Sequence, residues 1–411
     1  MMKWSNGIDL RPSVPMLCLG LVLGVGLLCW VWLRGAAQES RQQHLRRLCA
    51  LTLFLCFDLV LFGSFTRLSD SGLGCPDWPG CYGFVSPVGA GLDIAAAHQT
   101  MPQGPVSLSK AWIEMIHRYA AMTVGFLIFI LCVETWRMHL KELKSALKHE
   151  SRRVALWCAS ASLMWVILQG AFGALTVTSK LWPAIVSLHL LGGMGLLALL
   201  VAQWHAYGAW PKASAVQEAE WAANVHVDPN AIEKIKTVSL GRWLTLGTCV
   251  LVVQLALGAW VSTNYAVLAC QTFPLCQESW WPQMDFAQGF ELWRPLGLTS
   301  AQEPLVFQAL TAIHYVHRLT AFLVFGVLGM LSLKLFKSGH TRLGLALSGL
   351  LLLQLLTGLS NVVLGWPMIG AILHVAGASG LVITLMWSSL QFLQDRSAKR
   401  FGSMQGRSHE A

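Results

Sequence analysis

The stretch EMIHRYAAMTVGFLIFILCV at residues 114–133 has a counterpart at 314–333, HYVHRLTAFLVFGVLGMLSL. Each puts a His-Arg pair near its head, His117-Arg118 and His317-Arg318, and continues as an apolar run able to enter a bilayer. One such basic residue at the mouth of an apolar helix is ordinary, because Arg snorkels to the interface. The same dipeptide on two helices asks for a shared role. The conspicuous difference is Glu114 in the first copy against His314 in the second.

The rest of the chain has the same character. Of its 411 residues 55% are hydrophobic and 12% charged, whereas soluble domains carry about 25% charged residues. Nine spans are predicted, at 13–33, 48–66, 113–135, 154–178, 185–208, 243–264, 307–333, 343–363 and 370–394. The formal charge of +9 reads as topology, and no nucleic-acid partner is expected. Lys and Arg gather in 34–47, 136–153, 209–242, the turn near 334–342 and the tail after 394. The long loops 67–112 and 265–306, and the short ones 179–184 and 364–369, are poor in them. The positive-inside rule therefore places the long loops outside, with the N-terminus outside and the C-terminus inside. The first span follows Lys3 and Arg11, but no small-residue cleavage site is evident before Arg34, so it is read as an uncleaved helix.

Four landmarks recur in order. Gly63 precedes Cys75 as Gly258 precedes Cys270, and Cys75/Cys81 and Cys270/Cys276 share the spacing C-x5-C. The two His-Arg stretches follow. Then Gln169, Gly173, Trp182-Pro183 and His189 match Gln354, Gly358, Trp366-Pro367 and His374. Such order predicts an all-α membrane protein of two pseudo-symmetric four-helix bundles plus an extra N-terminal helix. Its parts are 1–47 (the extra helix and a basic inside loop), 48–208, an inside linker 209–242, 243–394 and a basic tail 395–411. Each bundle has an even number of spans, so the two are parallel repeats about an axis along the membrane normal.

Intramembrane ionisable residues are costly and therefore functional candidates. Each half offers one His early in its second span and one early in its fourth, His117 with His189 and His317 with His374. Both spans run inward from the outer face, which puts all four at a similar depth. Two imidazoles on facing helices suit axial ligation of one haem iron. The plainer reading is that each caps a carbonyl or bonds across a helix pair. Zinc needs more converging ligands than each half offers. Arg118 and Arg318 are candidates for bidentate contact with haem propionates, against plain interfacial snorkelling. Glu114 shares a helical face with His117 and is suited to handling protons. The outer Cys pairs are expected to form disulfides; Cys270–Cys276 reads as a staple, while Cys75–Cys81 is open to a redox role.

TRLSDSGLGCPDWPGC (66–81), EMIHR (114–118), QGAFGALTV (169–177), His189, HYVHR (314–318) and His374 together resemble the haem A synthase family, over about 48–394. The Glu-x-x-His-Arg stretch and the Cys loop are specific in combination. The resemblance implies an eight-helix core and a membrane oxidoreductase that converts haem O to haem A for terminal oxidase biogenesis. Two hydroxylations of a ring methyl would give a diol that loses water to a formyl group. It implies a haem b held by His317 and His374, with Arg318 at a propionate. It implies a substrate site at His117, His189 and Arg118, with Glu114 and His117 catalytic and Cys75–Cys81 in redox chemistry. The implied location is the bacterial inner membrane, Cys loops on the periplasmic side. Implied partners are the lipid bilayer, haem O synthase, terminal oxidase assembly factors and an electron acceptor; the reading leaves room for a homo-oligomer. The extra helix 13–33 departs from the family pattern. Two competing readings remain, a di-haem electron-transfer cytochrome and a transporter on parallel repeats. The cytochrome does not account for Glu114 in one half only or for the outer Cys pairs; the transporter lacks broken helices rich in Gly and Pro and leaves the His-Arg pairs idle.

Overall fold

The computed structural model describes residues 12–33, 40–142, 150–209 and 231–408. Most of the expected linker, and Arg34, Lys144 and Lys148 of the expected inside loops, lie outside the described residues. The long elements are α1 (Ser13–Leu33), α2 (Arg41–Leu68), α4 (Leu108–Glu142), α5 (Glu150–Thr178), α6 (Pro183–Ala209) and α7 (Ala231–Thr263). They continue with α9 (Phe307–Lys337), α10 (Thr341–Val363) and α11 (Met368–Ser408). Two short helices, α3 (Gly91–Thr100) and α8 (Phe286–Gly289), fold within the long loops.

Among the described residues nine helices are long and apolar enough to cross a membrane, one for each predicted span. A helix satisfies its own backbone groups, which is what an apolar surrounding demands. The surrounding is legible from burial. In α2 the apolar window has mean hydropathy 2.2, yet only 22% of it is buried inside the protein. Its exposed surface is therefore apolar, as a lipid-facing surface must be. The helices outrun the predicted spans because their polar ends continue to wind. Ser40 shows why α2 starts early: its hydroxyl accepts from the Gln43 amide, while the Gln43 side chain accepts from Ser40 N at 2.9 Å. This reciprocal cap stabilises the first turn.

α2, α4, α5 and α6 contact one another as a closed ring, α2 to α4 to α5 to α6 and back to α2. α7, α9, α10 and α11 repeat the arrangement. α4 is thus diagonal to α6, and α9 to α11. Each ring has its own apolar core: Leu127, Ile128, Leu131, Leu197 and Leu200 in the first, Leu328, Leu331, Leu335, Leu347 and Leu385 in the second. The rings meet through α6 and α2 on one side and α11 and α7 on the other. Ser187 and Thr263 share a hydrogen bond of 3.1 Å there, and Trp204 packs on Trp387 at 5.1 Å. Arg67, at the end of α2, donates to the Ser262 carbonyl at 2.8 Å and lies over the Tyr265 ring.

α1 packs along α4. A Cβ on Gly20 would stand 3.1 Å from Met122 Cβ, so a larger residue there displaces the helix. Met16 is buried in the cluster that contains Cys75, Cys81, Ile94 and Met115. The start of α1 therefore lies at the same face as the first Cys loop, as the reading of an outward N-terminus expects.

At the other end of the first ring sits a buried polar network. Thr135 donates its hydroxyl proton to the Leu131 carbonyl at 2.6 Å and accepts from Tyr207 Oη, which in turn accepts from Gln203 Nε2 at 2.9 Å; Gln203 Oε1 accepts from Ser162 at 2.9 Å. Tyr207→Phe leaves the buried Thr135 and Gln203 groups short of a partner, at a cost of about 1–3 kcal/mol. The expected result is a lower thermal-unfolding midpoint in detergent, with the bound-pigment spectrum unchanged.

Candidate active site

His117 on α4 and His189 on α6 occupy diagonal helices of the first ring and lie within electrostatic reach of each other. His317 on α9 and His374 on α11 do the same in the second. Each of the four rings rests against a glycine of a neighbouring helix. A Cβ would stand 2.9 Å from His117 if placed on Gly63, and 3.5 Å from His189 on Gly173. On Gly258 it would stand 3.0 Å from His317, and on Gly358 3.3 Å from His374. The repeated glycines are thus the sockets of the histidines. All four rings are only half-buried and keep accessible surface although they sit within helix rings.

The two pairs differ in what holds them. Thr357 donates its hydroxyl proton to the Leu353 carbonyl at 2.7 Å. Its oxygen, 3.0 Å from His374 Nδ1, must then be the acceptor. That places the His374 proton on Nδ1 and leaves Nε2 with a lone pair. Gln254 brings its side-chain amide to 3.2 Å from His317 Nδ1. In the first ring His189 Nδ1 is buried without a hydrogen-bond partner. His117 stacks on Phe62, ring centres 6.2 Å apart. Two imidazoles on diagonal helices, one with Nε2 left free by its hydrogen bond, suit axial ligation of a haem iron. Among the described residues no three His, Cys, Asp or Glu side chains converge as a tetrahedral site would require.

Both predicted Cys pairs are disulfides, Cys75–Cys81 and Cys270–Cys276. Their loops are near copies. After the second Cys each turns through two left-handed residues, Tyr82-Gly83 and Gln277-Glu278, and closes a pair of backbone bonds, Cys81 with Phe84 and Cys276 with Ser279. Asp77 braces the first turn, accepting from Tyr82 N at 2.6 Å and Gly83 N at 2.7 Å.

The arginines act on these loops. Arg118 Nη1 donates to the carbonyls of Asp77 (2.8 Å), Pro79 (3.0 Å) and Gly80 (2.6 Å). Arg318 Nη1 donates to Thr272 (2.9 Å) and Leu275 (3.2 Å), and its Nη2 to Cys270 (2.6 Å). The contrast between Glu114 and His314 takes shape at the same place. Glu114 Oε2 accepts from Cys75 N at 2.9 Å, and His314 Nδ1 from Cys270 N at 3.3 Å. Both side chains dock the first Cys onto the helix. Glu114 does more than this, because its other oxygen pairs with Arg118, and both groups are buried. Arg318 meets no carboxylate among the described residues, and its Nε is buried without a partner.

The profile of a family described as cytochrome oxidase assembly protein, COX15-CtaA, matches residues 46–386. The chain belongs to this family. The match spans both helix rings and all four histidines, and α1 precedes it. Among similar members, the "Heme A synthase" of Shewanella oneidensis is 34% identical over 340 residues, covering 82% of this chain and 94% of that protein. Proteins of the same name from Rhizobium rhizogenes and Neorickettsia sennetsu are each 25% identical, over 84% and 85% of this chain and 88% and 98% of theirs.

Reading the sequence did not single out Gln254 or Thr357, and it gave the glycines no role. Gln254 carried a signal, since it is a polar residue inside the apolar run 243–264. The two arginines offer a test of the clamp. Arg118→Leu strands a buried carboxylate, a loss of about 3–5 kcal/mol; Arg318→Leu removes loop contacts only. Thermal unfolding in detergent should therefore fall further for Arg118→Leu, and Glu114→Gln in the same chain should recover part of the loss.

Proposed function

We propose that this membrane protein is a haem A synthase, an oxidoreductase that converts the ring methyl of haem O to the formyl group of haem A for terminal oxidase biogenesis. The observation that carries it is the repeated diagonal histidine pair with a buried carboxylate beside only one copy. We infer that the first ring takes the substrate, its iron between His117 and His189. Gly63 and Gly173 let the two imidazoles sit back against the helix backbones. Glu114, a turn from His117, is placed to accept the protons that leave as the methyl carbon is oxidised and to favour positive charge developing there. Arg118 keeps that carboxylate in place and ties it to the Cys75–Cys81 loop, which gives the disulfide a direct mechanical link to the catalytic acid. The prenyl tail of haem O is apolar and fits the lipid-facing helix surface.

We assign a resident haem b to His317 and His374. The fit rests on the Nε2 left free on His374 and on the glycine sockets. Such a group supplies one-electron redox capacity next to the reacting ring. Arg318 uses both Nη groups on the loop and leaves its unpartnered Nε as the donor for a propionate. Basic residues in the described turn 337–342 and in the last turns of α4 support an inner-membrane orientation with both disulfide loops on the periplasmic side. The substrate would come from a prenylating haem O synthase, and the product would pass to oxidase assembly.

The test is pigment analysis. Protein purified from cells that make haem O should yield haem A or hydroxylated haem O on reversed-phase chromatography. Glu114→Gln should keep haem b and lose at least ten-fold in product. His317→Ala or His374→Ala should deplete haem b. Full product formation by Glu114→Gln would remove the catalytic assignment. Haem B alone, unchanged when haem O is supplied, would favour an electron-transfer cytochrome.

A further inference from the structure

The two rings share their histidines and glycines but not the polar groups around the imidazoles. Gln254 stands four residues before Gly258, and the residue four before Gly63 is Leu59. Thr357 immediately precedes Gly358, and the residue before Gly173 is Phe172. The register is secure, because Gly258 and Gly63 face corresponding histidines, as do Gly358 and Gly173. The second ring therefore carries a hydrogen-bonding side chain against each imidazole, and the residues in the same register of the first are hydrocarbon.

The chemistry of the two partners is specific. The Thr357 hydroxyl proton is spent on the Leu353 carbonyl, so its oxygen accepts from His374 Nδ1. Gln254 lies 3.2 Å from His317 Nδ1, and its Oε1 is buried with no other partner. Its Nε2 also donates to the His317 carbonyl at 3.2 Å, so the amide is anchored against the residue it orients. An imidazole that donates from Nδ1 is fixed in orientation and tautomer and is a stronger base at Nε2. His189 Nδ1, buried and unpartnered, has neither benefit.

We propose that Gln254 and Thr357 are positioning residues that make the second ring a retaining haem site, and that Leu59 and Phe172 leave the first ring an exchanging one. The proposal rests on the assignment of haem b to His317 and His374. It goes further by naming what makes one of two like ligand pairs keep its haem. Retention follows from imidazoles oriented from behind, His374 being also the stronger base. Exchange follows from rings that are free to turn in their glycine sockets when the iron leaves.

The experiment uses the purified full-length protein in detergent, with apomyoglobin as haem acceptor. Thr357→Val keeps the shape of the side chain and removes its oxygen; Gln254→Leu installs the residue of the first ring. Each should speed haem b transfer to apomyoglobin by ~10–100-fold, and Thr357→Val should also raise the haem b midpoint potential, because a less basic imidazole favours ferric iron less. Thr357→Ser, which keeps the acceptor, should restore both values. Phe172→Thr should slow haem loss from the first ring. Wild-type transfer rates in both Thr357→Val and Gln254→Leu, with a wild-type potential in Thr357→Val, would overturn the proposal. The underlying assignment fails separately, if the wild type holds no haem b or if His317→Ala and His374→Ala keep a full complement.

Discussion

The contact on which the rest of this protein depends is between an imidazole ring and the backbone of the next helix, with only a glycine hydrogen between them. It occurs four times, at Gly63, Gly173, Gly258 and Gly358. A methyl group at Gly63, Gly258 or Gly358 would crowd the ring, so the histidine or the helix would have to give, while at Gly173 it would just touch His189. Close approach of this kind is how helices associate where lipid supplies no hydrophobic drive between them. Here it also sets how far each imidazole sits from the centre of its ring of helices. The larger apolar residues that fill the inner part of each bundle hold that spacing and seal the far end.

The outer face is built around the neighbouring arginines. A guanidinium carries five donors in a rigid fork, and in each half that fork gathers carbonyls from the C-x5-C loop. The His-Arg dipeptide thus ties two things together through adjacent residues on one helix, the histidine pair below and the disulfide loop above. In the first half Glu114 closes the circuit, bound to Arg118 and to the amide of Cys75. Burying a charge pair is costly unless the remaining hydrogen bonds are made. The three loop carbonyls and the Cys75 amide make them. The second half does without the carboxylate: His314 docks the loop as a neutral acceptor, and Arg318 keeps its Nε donor in reserve.

The fold was legible to a large degree because lipid imposes a simple rule. Apolar runs of bilayer length, basic residues on one side and an ordered set of repeated landmarks led to nine spans and two like bundles. The pairing of His117 with His189 and of His317 with His374 followed from depth alone. The arginines were harder. A sequence shows that Arg118 and Arg318 sit at the outer interface, but not that a loop folds back within their reach; propionates were expected where the loop carbonyls of Asp77, Gly80, Thr272 and Leu275 stand. Glu114 was likewise placed on the face of His117, three residues away, whereas its firm partners are Arg118, one turn on, and Cys75, far back in the chain. Such contacts depend on how a loop of some forty residues closes over a helix, and no local periodicity encodes that. α3 and α8 escaped for the same reason. They are short, and their helicity is decided by packing under the loop and, for α8, by the Asp285 cap.

On the proposed assignment, a duplicated scaffold with two histidine pairs faces opposed demands. Holding a haem as a fixed redox partner calls for imidazoles whose orientation is enforced from behind. Admitting a haem, letting it react and releasing it calls for imidazoles that yield. The helices cannot serve both demands by changing shape, because the glycine sockets tie the backbones to the rings in each half. What remains free to diverge is the side chain just beside each socket. Leu59 against Gln254 and Phe172 against Thr357 are changes of that kind. They alter no helix length and no loop, yet they decide whether a polar group stands behind the imidazole. On the proposed assignment, the division of labour between the halves needs only two polar substitutions behind the histidines and one carboxylate in front of them.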